Sequence, residues 1–168
     1  MARVPPFSEL IAATTTSAVH LESRDAYTPD DAAFLDWKAG KPVSAPAGTA
    51  WYDLVREYTA RGVSFRRARI VSEPLADYIR FEYDSTAFNI SAGEQVRWLS
   101  RSAAPGLLVP LADYWVFDDR MVRFGYFAGD GAFLANELTD DPEIVRACTD
   151  AFEAVWVRAT PHEHYRPA

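Results

Sequence analysis

The sequence predicts one domain of the mixed α/β class (α+β), in which helices cover a small mixed sheet. Two periodicities support this prediction: apolar residues recur at helical steps in some segments and alternate as in strands in others. The length of 168 residues suits a single domain, and no internal repeat, linker or low-complexity segment divides the chain. We therefore expect residues 1–168 to fold as one unit.

The first half of the chain is predicted to be mainly helical, because its apolar residues recur at helical spacing between capping residues and glycines. The expected elements are a helix over 7–19, a helix from a Thr28 cap to about Ala39, a loop over 40–48, a helix from a Thr49 cap to Gly62, and a strand over 63–71. Three consecutive threonines weaken the helical propensity of the first segment.

The second half is predicted to mix helices with strands and to end in an amphipathic helix. The expected elements are a helix from Ser72 through Tyr83 with an interruption at 89–93, a short helix with Val96 and Leu99, a buried strand at 107–109, a hairpin of 113–117 with 121–127, and a last helix capped by Thr139 and Asp140. Cys148 falls on the apolar side of the last helix, which indicates an inert buried thiol.

Charge and composition argue against several classes of partner. The 24 acidic and 17 basic residues give a net charge of −7, which repels phosphate backbones and anionic membranes, so we expect no direct nucleic-acid or membrane contact. The single cysteine allows no intrachain disulfide and no multi-cysteine metal cage. With no signal peptide, membrane span or cofactor motif recognised, we expect a cytoplasmic protein that holds no metal or cofactor.

Five segments carry a resemblance to a known family. They are HLESRDAY (20–27), RARIVSEPLADYIRFEY (67–83), NISAGEQVRWLSR (89–101), DYWVFDDRMVRFGYF (113–127), and AFEAVW followed by ATPHEHY, which ends at residue 165. Together they resemble an uncharacterised actinobacterial family, DUF6879, over nearly the whole chain. The resemblance implies no particular activity, but it implies an association with helix-turn-helix regulators encoded nearby.

The order of elements is also similar, more remotely, to the ligand-sensing domains of some helix-turn-helix regulators and to half of a phospholipase-D-like fold. The catalytic form of that fold needs a histidine nucleophile and a lysine two residues later. Asp113 and Trp115 stand at those positions. The resemblance therefore implies a fold without phospholipase-D chemistry.

A polar cluster after the first predicted helix is one candidate ligand site. His20, Glu22, Arg24 and Tyr27 could bind an anion or transfer a proton, because a histidine beside a carboxylate can serve as general acid or base. No nucleophile or glycine-rich loop accompanies them. The alternative, which we favour, is a helix-end network of satisfied polar groups.

The arginine-rich strand is a second candidate ligand site. Alternation places Arg67 and Arg69 on one strand face, where side chains from neighbouring segments could converge with them. The candidates for this convergence are Tyr78, Arg80, Glu82, Arg97 and Trp98. A pocket of this composition suits a small polar ligand. A solvated ion-pair network is the alternative, and we favour it.

The predicted hairpin and the C-terminal segment are two further candidates. Trp115, Phe117 and Asp118 could form a partner surface, although a cross-strand aromatic core is the more frequent arrangement. His162 and His164 flank a glutamate, but this spacing lacks the helical geometry of known metal motifs. We therefore predict a docked or loosely ordered tail over 161–168 rather than a metal site.

These observations favour a non-enzymatic regulatory accessory domain that binds a small polar ligand or a protein partner, such as a helix-turn-helix regulator. The rival hypothesis is a small hydrolase or transferase that uses His20 with Glu22 or Glu82. Convergence of these side chains in a deep pocket with a perturbed pKa would favour the enzyme, and their dispersal over the surface would exclude it.

Overall fold

One mixed sheet organises the described part of the chain, which comprises residues 4–44 and 50–168 of the computed structural model. The helices in these ranges are α1 (Phe7–Ala12), α2 (Ala32–Lys38), α3 (Ala50–Ala60), α4 (Asp77–Ala92) and α5 (Pro142–Trp156). The strands are β1 (Ser17–Glu22), β2 (Ser64–Val71), β3 (Gln95–Ser100), β4 (Asp113–Phe117), β5 (Met121–Phe127), β6 (Phe133–Thr139) and β7 (Thr160–Pro161).

The strand order is β6-β5-β4-β1-β2-β3-β7. The neighbours β1, β2 and β3 run parallel, whereas the other neighbouring pairs are antiparallel. Helices connect the parallel strands, as parallel pairing requires a crossover. The prediction of a mixed α+β domain with a helix-covered sheet is confirmed.

Helices cover both faces of the sheet, and the alternation of side chains along β1 shows which residues meet which helices. Val19 and Leu21 pack in a core with α5 residues such as Phe152. On the opposite face, Ala18 packs in a core with Val55 of α3. Because side chains alternate between faces, His20 and Glu22 share this second face, which lies under α3 and α4.

The predicted helix over 7–19 is wrong in its second half. The helix ends at Ala12, and Ser17 to Val19 belong to β1, at the centre of the sheet. The Thr14 hydroxyl donates a hydrogen bond to the Leu10 carbonyl at 2.8 Å, just beyond the last helical turn. The three β-branched threonines favour this early end, and pairing of the next segment with both β2 and β4 outweighs its weak helical spacing.

Two of the predicted helix caps differ from those in the structure. Asp31 caps α2 by accepting hydrogen bonds from the amides of Ala33 and Phe34, whereas Thr28 lies three residues earlier. Asp141, one residue after the predicted caps, caps α5, and Pro142 opens that helix as expected. A carboxylate next to the first turn satisfies two free amides at once. Thr49 lies outside the described residues.

The segment after α4 is the largest departure from prediction. Helix α4 runs without interruption to Ala92, and Val96 and Leu99 belong to strand β3 rather than to a short helix. Gly93 ends the helix with φ 103°, and a Cβ there would lie 2.8 Å from Thr59 Cγ2. The spacing of Val96 and Leu99 fits a helix, but β3 buries side chains on both faces, so it shows no simple alternation.

Two shorter segments were also misjudged. Residues 107–109 form no strand, and Leu108 is 90% exposed. Strand β6 is absent from the prediction because Phe133 and Leu134 are both exposed, so this edge strand lacks an apolar face. The predicted hairpin of β4 and β5 is confirmed, with Asp118 and Asp119 at its turn.

The side chain of Asp118 ties this turn to the start of β1. Its carboxylate accepts hydrogen bonds from the amides of Thr15, Thr16 and Ser17, at 2.9, 2.8 and 2.9 Å. Partial burial acts to raise the pKa of Asp118, but these hydrogen bonds outweigh it and hold the pKa well below its usual range. The ionised carboxylate therefore stabilises the fold.

We expect Asp118→Ala to lower the free energy of unfolding by roughly 2–4 kcal/mol, because it leaves backbone amides without an acceptor and places alanine at positive φ. Asp118→Asn tolerates that backbone conformation and keeps one oxygen, so it should cost less. Since the folded pKa is depressed, the wild-type advantage over Asp118→Asn should be full above about pH 4 and disappear as the pH falls. Urea unfolding at several pH values measures this, and an equal loss in both variants would contradict it.

Candidate functional site

A row of four side chains crosses the sheet beneath α3 and α4. The strand register places Arg67 beside His20, His20 beside Trp115, and Trp115 beside Arg123. The His20 ring stacks on the Trp115 indole with 4.2 Å between ring centroids. Since paired residues of neighbouring strands point to the same side, all four contribute to one surface.

A buried ion-pair network adjoins this row. The Glu22 carboxylate accepts hydrogen bonds from both Arg67 and Arg69, and all three side chains are less than 10% exposed. Arg67 Nε also donates to Glu94 Oε1 at 2.8 Å, and Asn89 donates to the other Glu94 oxygen at 2.6 Å. Burial acts to raise the pKa of Glu22, but the two guanidinium groups outweigh it and hold that pKa well below its usual range.

Glu82 of α4 lies at the edge of this network. Arg69 Nη2 lies 3.3 Å from Glu82 Oε1, whereas the buried Oε2 has no hydrogen-bond partner among the described residues. Burial, reinforced by the Glu22 charge, raises the pKa of Glu82 to about 7. The group therefore changes its charge near neutral pH.

A cavity of about 290 Å³ lies between this part of the sheet and the helices above it. Strand residues His20, Arg67, Arg69, Trp115 and Arg123 line it from the sheet. The helices contribute Phe7 from α1, Trp51 and Tyr52 from α3, and Glu82, Ser85, Asn89 and the aromatic ring of Tyr78 from α4. Its walls thus combine several aromatic rings with a few polar groups, as in many ligand pockets.

Four buried polar atoms without a hydrogen-bond partner in the described part of the chain belong to residues that line this cavity. They are His20 Nδ1, Trp51 Nε1, Glu82 Oε2 and Arg123 Nε. His20 Nδ1 lies 3.3 Å from a Glu22 oxygen but forms no hydrogen bond with it. Burial lowers the pKa of His20 well below its ordinary value, so the ring is neutral. Each unpaired buried group costs roughly 1–3 kcal/mol.

A second cavity of about 400 Å³ adjoins the first and shares His20, Trp115 and Arg123 with it. Tyr27 and Asp113 line it, and the Tyr27 hydroxyl donates a short hydrogen bond to the Asp113 carboxylate. Burial raises the pKa of Asp113. The lining of this second cavity therefore also includes buried polar side chains.

A comparison with models of protein families shows the family to which the chain belongs. A family model described as "Domain of unknown function (DUF6879)" matches residues 5–167. The chain belongs to the DUF6879 family. This confirms the resemblance found in the sequence, and no curated protein matches the DUF6879 chain significantly.

One solved structure similar to this DUF6879 domain is that of TrmBL2, described as an archaeal chromatin protein that shows a novel mode of DNA binding. The identity is 12% and the TM-score 0.51, and the match covers 90% of this chain and 47% of TrmBL2. The chain thus spans about half the length of that structure, and the likeness concerns the fold alone. DNA binding by TrmBL2 does not fit our expectation that nucleic acid is excluded, so we withdraw that exclusion. The other remote resemblances stay predictions.

The predicted ligand residues of the DUF6879 domain divide into two groups. The structure brings seven of them together in the lining of the two cavities. They are His20, Glu22, Tyr27, Arg67, Arg69, Tyr78 and Glu82. The remaining four lie elsewhere. Arg24 bonds the Ala128 carbonyl, Arg80 is exposed and bonds the Leu75 carbonyl, Arg97 packs over Trp156, and Trp98 is fully buried.

The sequence interpretation missed Arg123 and Trp51 as site residues. Arg123 is the only charged residue in the apolar strand β5, a signal that could have marked it. Trp51 was counted in the apolar face of its helix, and nothing in the sequence shows that its indole nitrogen lacks a partner. Each holds a buried donor, Trp51 Nε1 or Arg123 Nε, without a hydrogen-bond partner among the described residues.

The residues of the suggested partner surface lie inside the domain. Trp115 and Phe117 are 8% and 5% exposed and stack on each other along β4, and Trp115 also stacks on His20 of the neighbouring β1, so an aromatic core, the alternative weighed above, describes them better. Asp118 is engaged with the start of β1. Among the described residues, the exposed large apolar side chains near this turn are Tyr126 of β5 and Phe133 and Leu134 of β6.

The C-terminal residues pack on β3. Thr160 and Pro161 pair with it, and Tyr165 stacks on Trp98 with 5.5 Å between ring centroids. His162 Nδ1 accepts a hydrogen bond from the Trp98 indole at 3.1 Å. Across 4–44 and 50–168, no group of three or more potential metal-ligating side chains is suitably placed. None of the helices in these ranges is long and apolar enough to cross a membrane.

The raised pKa of Glu82 predicts a characteristic pH dependence of stability. A carboxyl that titrates near 7 when folded and near 4.5 when unfolded stabilises the fold fully at low pH, and this contribution is lost as the pH rises from 4.5 to 7. In Glu82→Gln the titration is absent. We expect wild-type unfolding free energy to fall by on the order of 2 kcal/mol more than that of the variant over this range. Urea unfolding at several pH values measures this difference. If the unfolding free energies of the wild type and of Glu82→Gln change with pH in the same way, the prediction is refuted.

Proposed function

We propose that this DUF6879 domain is a non-enzymatic regulatory module that binds a small polar molecule in the cavity between the sheet and helices α3 and α4. One observation carries the proposal: four residues that line a single cavity each hold a buried polar atom without a hydrogen-bond partner among the described residues. Folding leaves few such groups unsatisfied, so their concentration at one place indicates that a ligand completes their hydrogen bonds.

The walls of the cavity support this proposal independently. Trp51, Tyr52, Tyr78 and Trp115 provide apolar ring surface, and the ion pairs of Arg67 and Arg69 hold the floor in place. A rigid floor that is already paired within the domain costs little ordering entropy when a ligand arrives. Specificity then depends on the few polar groups that remain free.

Arg123 offers a direct test. Its guanidinium lies 5.0 Å from the Phe7 ring and has no ion-pair partner among the described residues, so Arg123→Leu should keep the fold. Arg120→Leu, on the exposed hairpin, is the matched control. We would measure the melting temperatures of all three proteins with amino acids, hexoses, dicarboxylates and nucleobases at about 1 mM.

At least one class of compound should raise the melting temperature of the wild type and of Arg120→Leu, but not that of Arg123→Leu. Binding adds to stability only where the site is intact. If no compound shifts the wild type, or if one shifts all three proteins equally, the proposal fails.

The regulatory part of the proposal is that the domain binds a helix-turn-helix regulator. Its support is the association with nearby regulators that the family resemblance implies, and the cavity does not contribute to it. A neighbouring regulator and this domain should co-elute in size-exclusion chromatography at micromolar concentration. If the two proteins elute separately at every concentration tested, the proposed regulator binding is disproved, whereas the proposed ligand binding is unaffected.

A hydrolase or transferase is the second candidate function, and one observation favours it. His20 and Glu82 line the same cavity, and the pKa of Glu82 of about 7 suits a general acid or base. Hydrolysis of a p-nitrophenyl ester or phosphate that disappears in Glu82→Gln would support the enzyme. Equal background rates in both proteins would contradict it.

A further inference from the structure

We infer that strand β6 is the contact surface for a second copy of this chain, and that the two β6 strands pair antiparallel about a two-fold axis at Asn136. This inference concerns the edge of the sheet and does not depend on ligand binding in the cavities. Three features of the described chain carry it: the difference between the two edges of the sheet, the apolar side chains exposed at β6, and the position of its single charge.

The two edges of the sheet differ in whether a further strand can pair with them. At one edge, β7 consists only of Thr160 and Pro161, and a proline donates no backbone hydrogen bond. At the other edge, β6 has seven residues, none of them proline or lysine. Within the described part of the chain its neighbour is β5 alone, so alternate amides and carbonyls of β6 point outward without a backbone partner. Of the two edges, β6 is therefore the one that offers a template for another strand.

Large apolar side chains are exposed at this edge. Tyr126 of β5 and Phe133 and Leu134 of β6 are 38%, 52% and 63% exposed. Soluble proteins protect edge strands with lysine, proline, a bulge or a covering element, because an unprotected apolar edge associates with other strands. Among the described residues β6 has one of these devices, a bulge at Leu134. A partner strand would therefore shield apolar surface that the fold itself leaves in water.

The single charge of β6 lies where the strand complements itself. A two-fold pairing centred on Asn136 uses the whole of both strands, because Asn136 is the middle one of the seven residues. It places Glu137 opposite Ala135 of the second copy and Leu134 opposite Leu138, so apolar residues meet and like charges do not. Centring the pair on Glu137 would instead set two carboxylates opposite each other. Because two-fold dimers are the commonest oligomers of soluble proteins, this self-complementarity favours a second copy as the partner.

The expected dimer is weak. One pair of seven-residue strands buries less surface than the roughly 800 Å² per partner of a standard interface. The net charge of −7 on each copy adds a repulsion that salt screens. We therefore expect a reversible dimer with a dissociation constant on the order of 10–100 µM, which tightens as the salt concentration rises.

Ala135 allows a test in both directions, because it is exposed and lies opposite Glu137 of the second copy in this register. The two-fold axis repeats every such contact, so each substitution acts twice. Ala135→Lys adds an opposite charge and should tighten the dimer about threefold. Ala135→Glu adds a like charge and should weaken it about tenfold. Sedimentation equilibrium of the whole chain, from about 10 to about 500 µM at fixed salt, measures these constants.

Ala147→Lys and Ala147→Glu are the matched controls. Ala147 is exposed on α5, so these variants change the net charge of the protein by the same amount outside β6. Both should leave the dissociation constant within about twofold of the wild-type value. Far-UV circular dichroism checks that every variant keeps the fold.

The outcomes decide between a second copy, another protein and no partner. A wild type that stays monomeric up to about 500 µM overturns the inference. A dimer whose affinity does not change in opposite directions in Ala135→Lys and Ala135→Glu overturns it as well. If the wild type stays monomeric but Ala135→Glu prevents co-elution with a neighbouring regulator, β6 binds that protein and not a second copy. None of these results bears on ligand binding, which Arg123→Leu tests separately.

Discussion

Replacing Glu22 by glutamine is expected to lower the free energy of unfolding by about 3–5 kcal/mol, because it breaks a buried ion pair. The Glu22 carboxylate bonds both Arg67 and Arg69, and its side chain is 8% exposed. The variant leaves two buried guanidinium groups to share the remaining carboxylates, Glu82 and Glu94.

Equilibrium unfolding in urea at pH 7 measures the effect. Glu153→Gln is the matched control, because Glu153 pairs with Arg66 on the other face of the sheet and is 44% exposed. Exposed pairs contribute roughly 0–1 kcal/mol, so this control should change little. A loss in Glu22→Gln no larger than in Glu153→Gln would show that the network does not stabilise the fold.

Trp115→Ala is expected to cost about 3–5 kcal/mol and also to abolish ligand binding. The indole is 8% exposed and contacts His20, Phe117, Phe7 and Trp51, with ring centroids 4.2 to 6.1 Å apart. It also forms a wall shared by both cavities. Its removal merges them and leaves the surrounding rings without support.

Two other tryptophan variants separate these effects. Trp115→Phe keeps an aromatic ring and should recover most of the stability, since the remaining void is small. Trp37→Ala removes a partly exposed indole of α2 that does not line either cavity, so it should cost less and leave binding intact. If Trp115→Ala still binds a compound as tightly as the wild type does, the cavity assignment is wrong.

Part of the site was predictable from local sequence. Strand β2 was expected over 63–71, and two-residue alternation alone places Arg67 and Arg69 on one face. Glu82 and Tyr78 lie four residues apart in α4, so they occupy one helix face. The sequence supported a pocket of arginine, glutamate and aromatic groups, although we favoured the solvated network over it.

The other part depended on strands that local patterns did not reveal. His20 and Glu22 were expected after a helix, yet they lie in β1, where the register brings them beside Arg67 and Arg69. Arg97 was grouped with these residues, but β3 is a strand, and alternation directs its side chain to the opposite face, over Trp156. In both cases a strand was predicted as a helix, and this error changed which side chains were expected to lie on the same face of the sheet.

The sequence by itself determined the family, the mixed α+β class, the amphipathic last helix and the hairpin, because these depend on local spacing and on recognisable strings of residues. Only the tertiary structure decided that β1 lies between β2 and β4, and therefore that His20, Trp115 and Arg123 share a cavity with Glu82. The physical reason is that strand order and register arise from pairing between segments as much as about 100 residues apart, whose energy no local pattern contains.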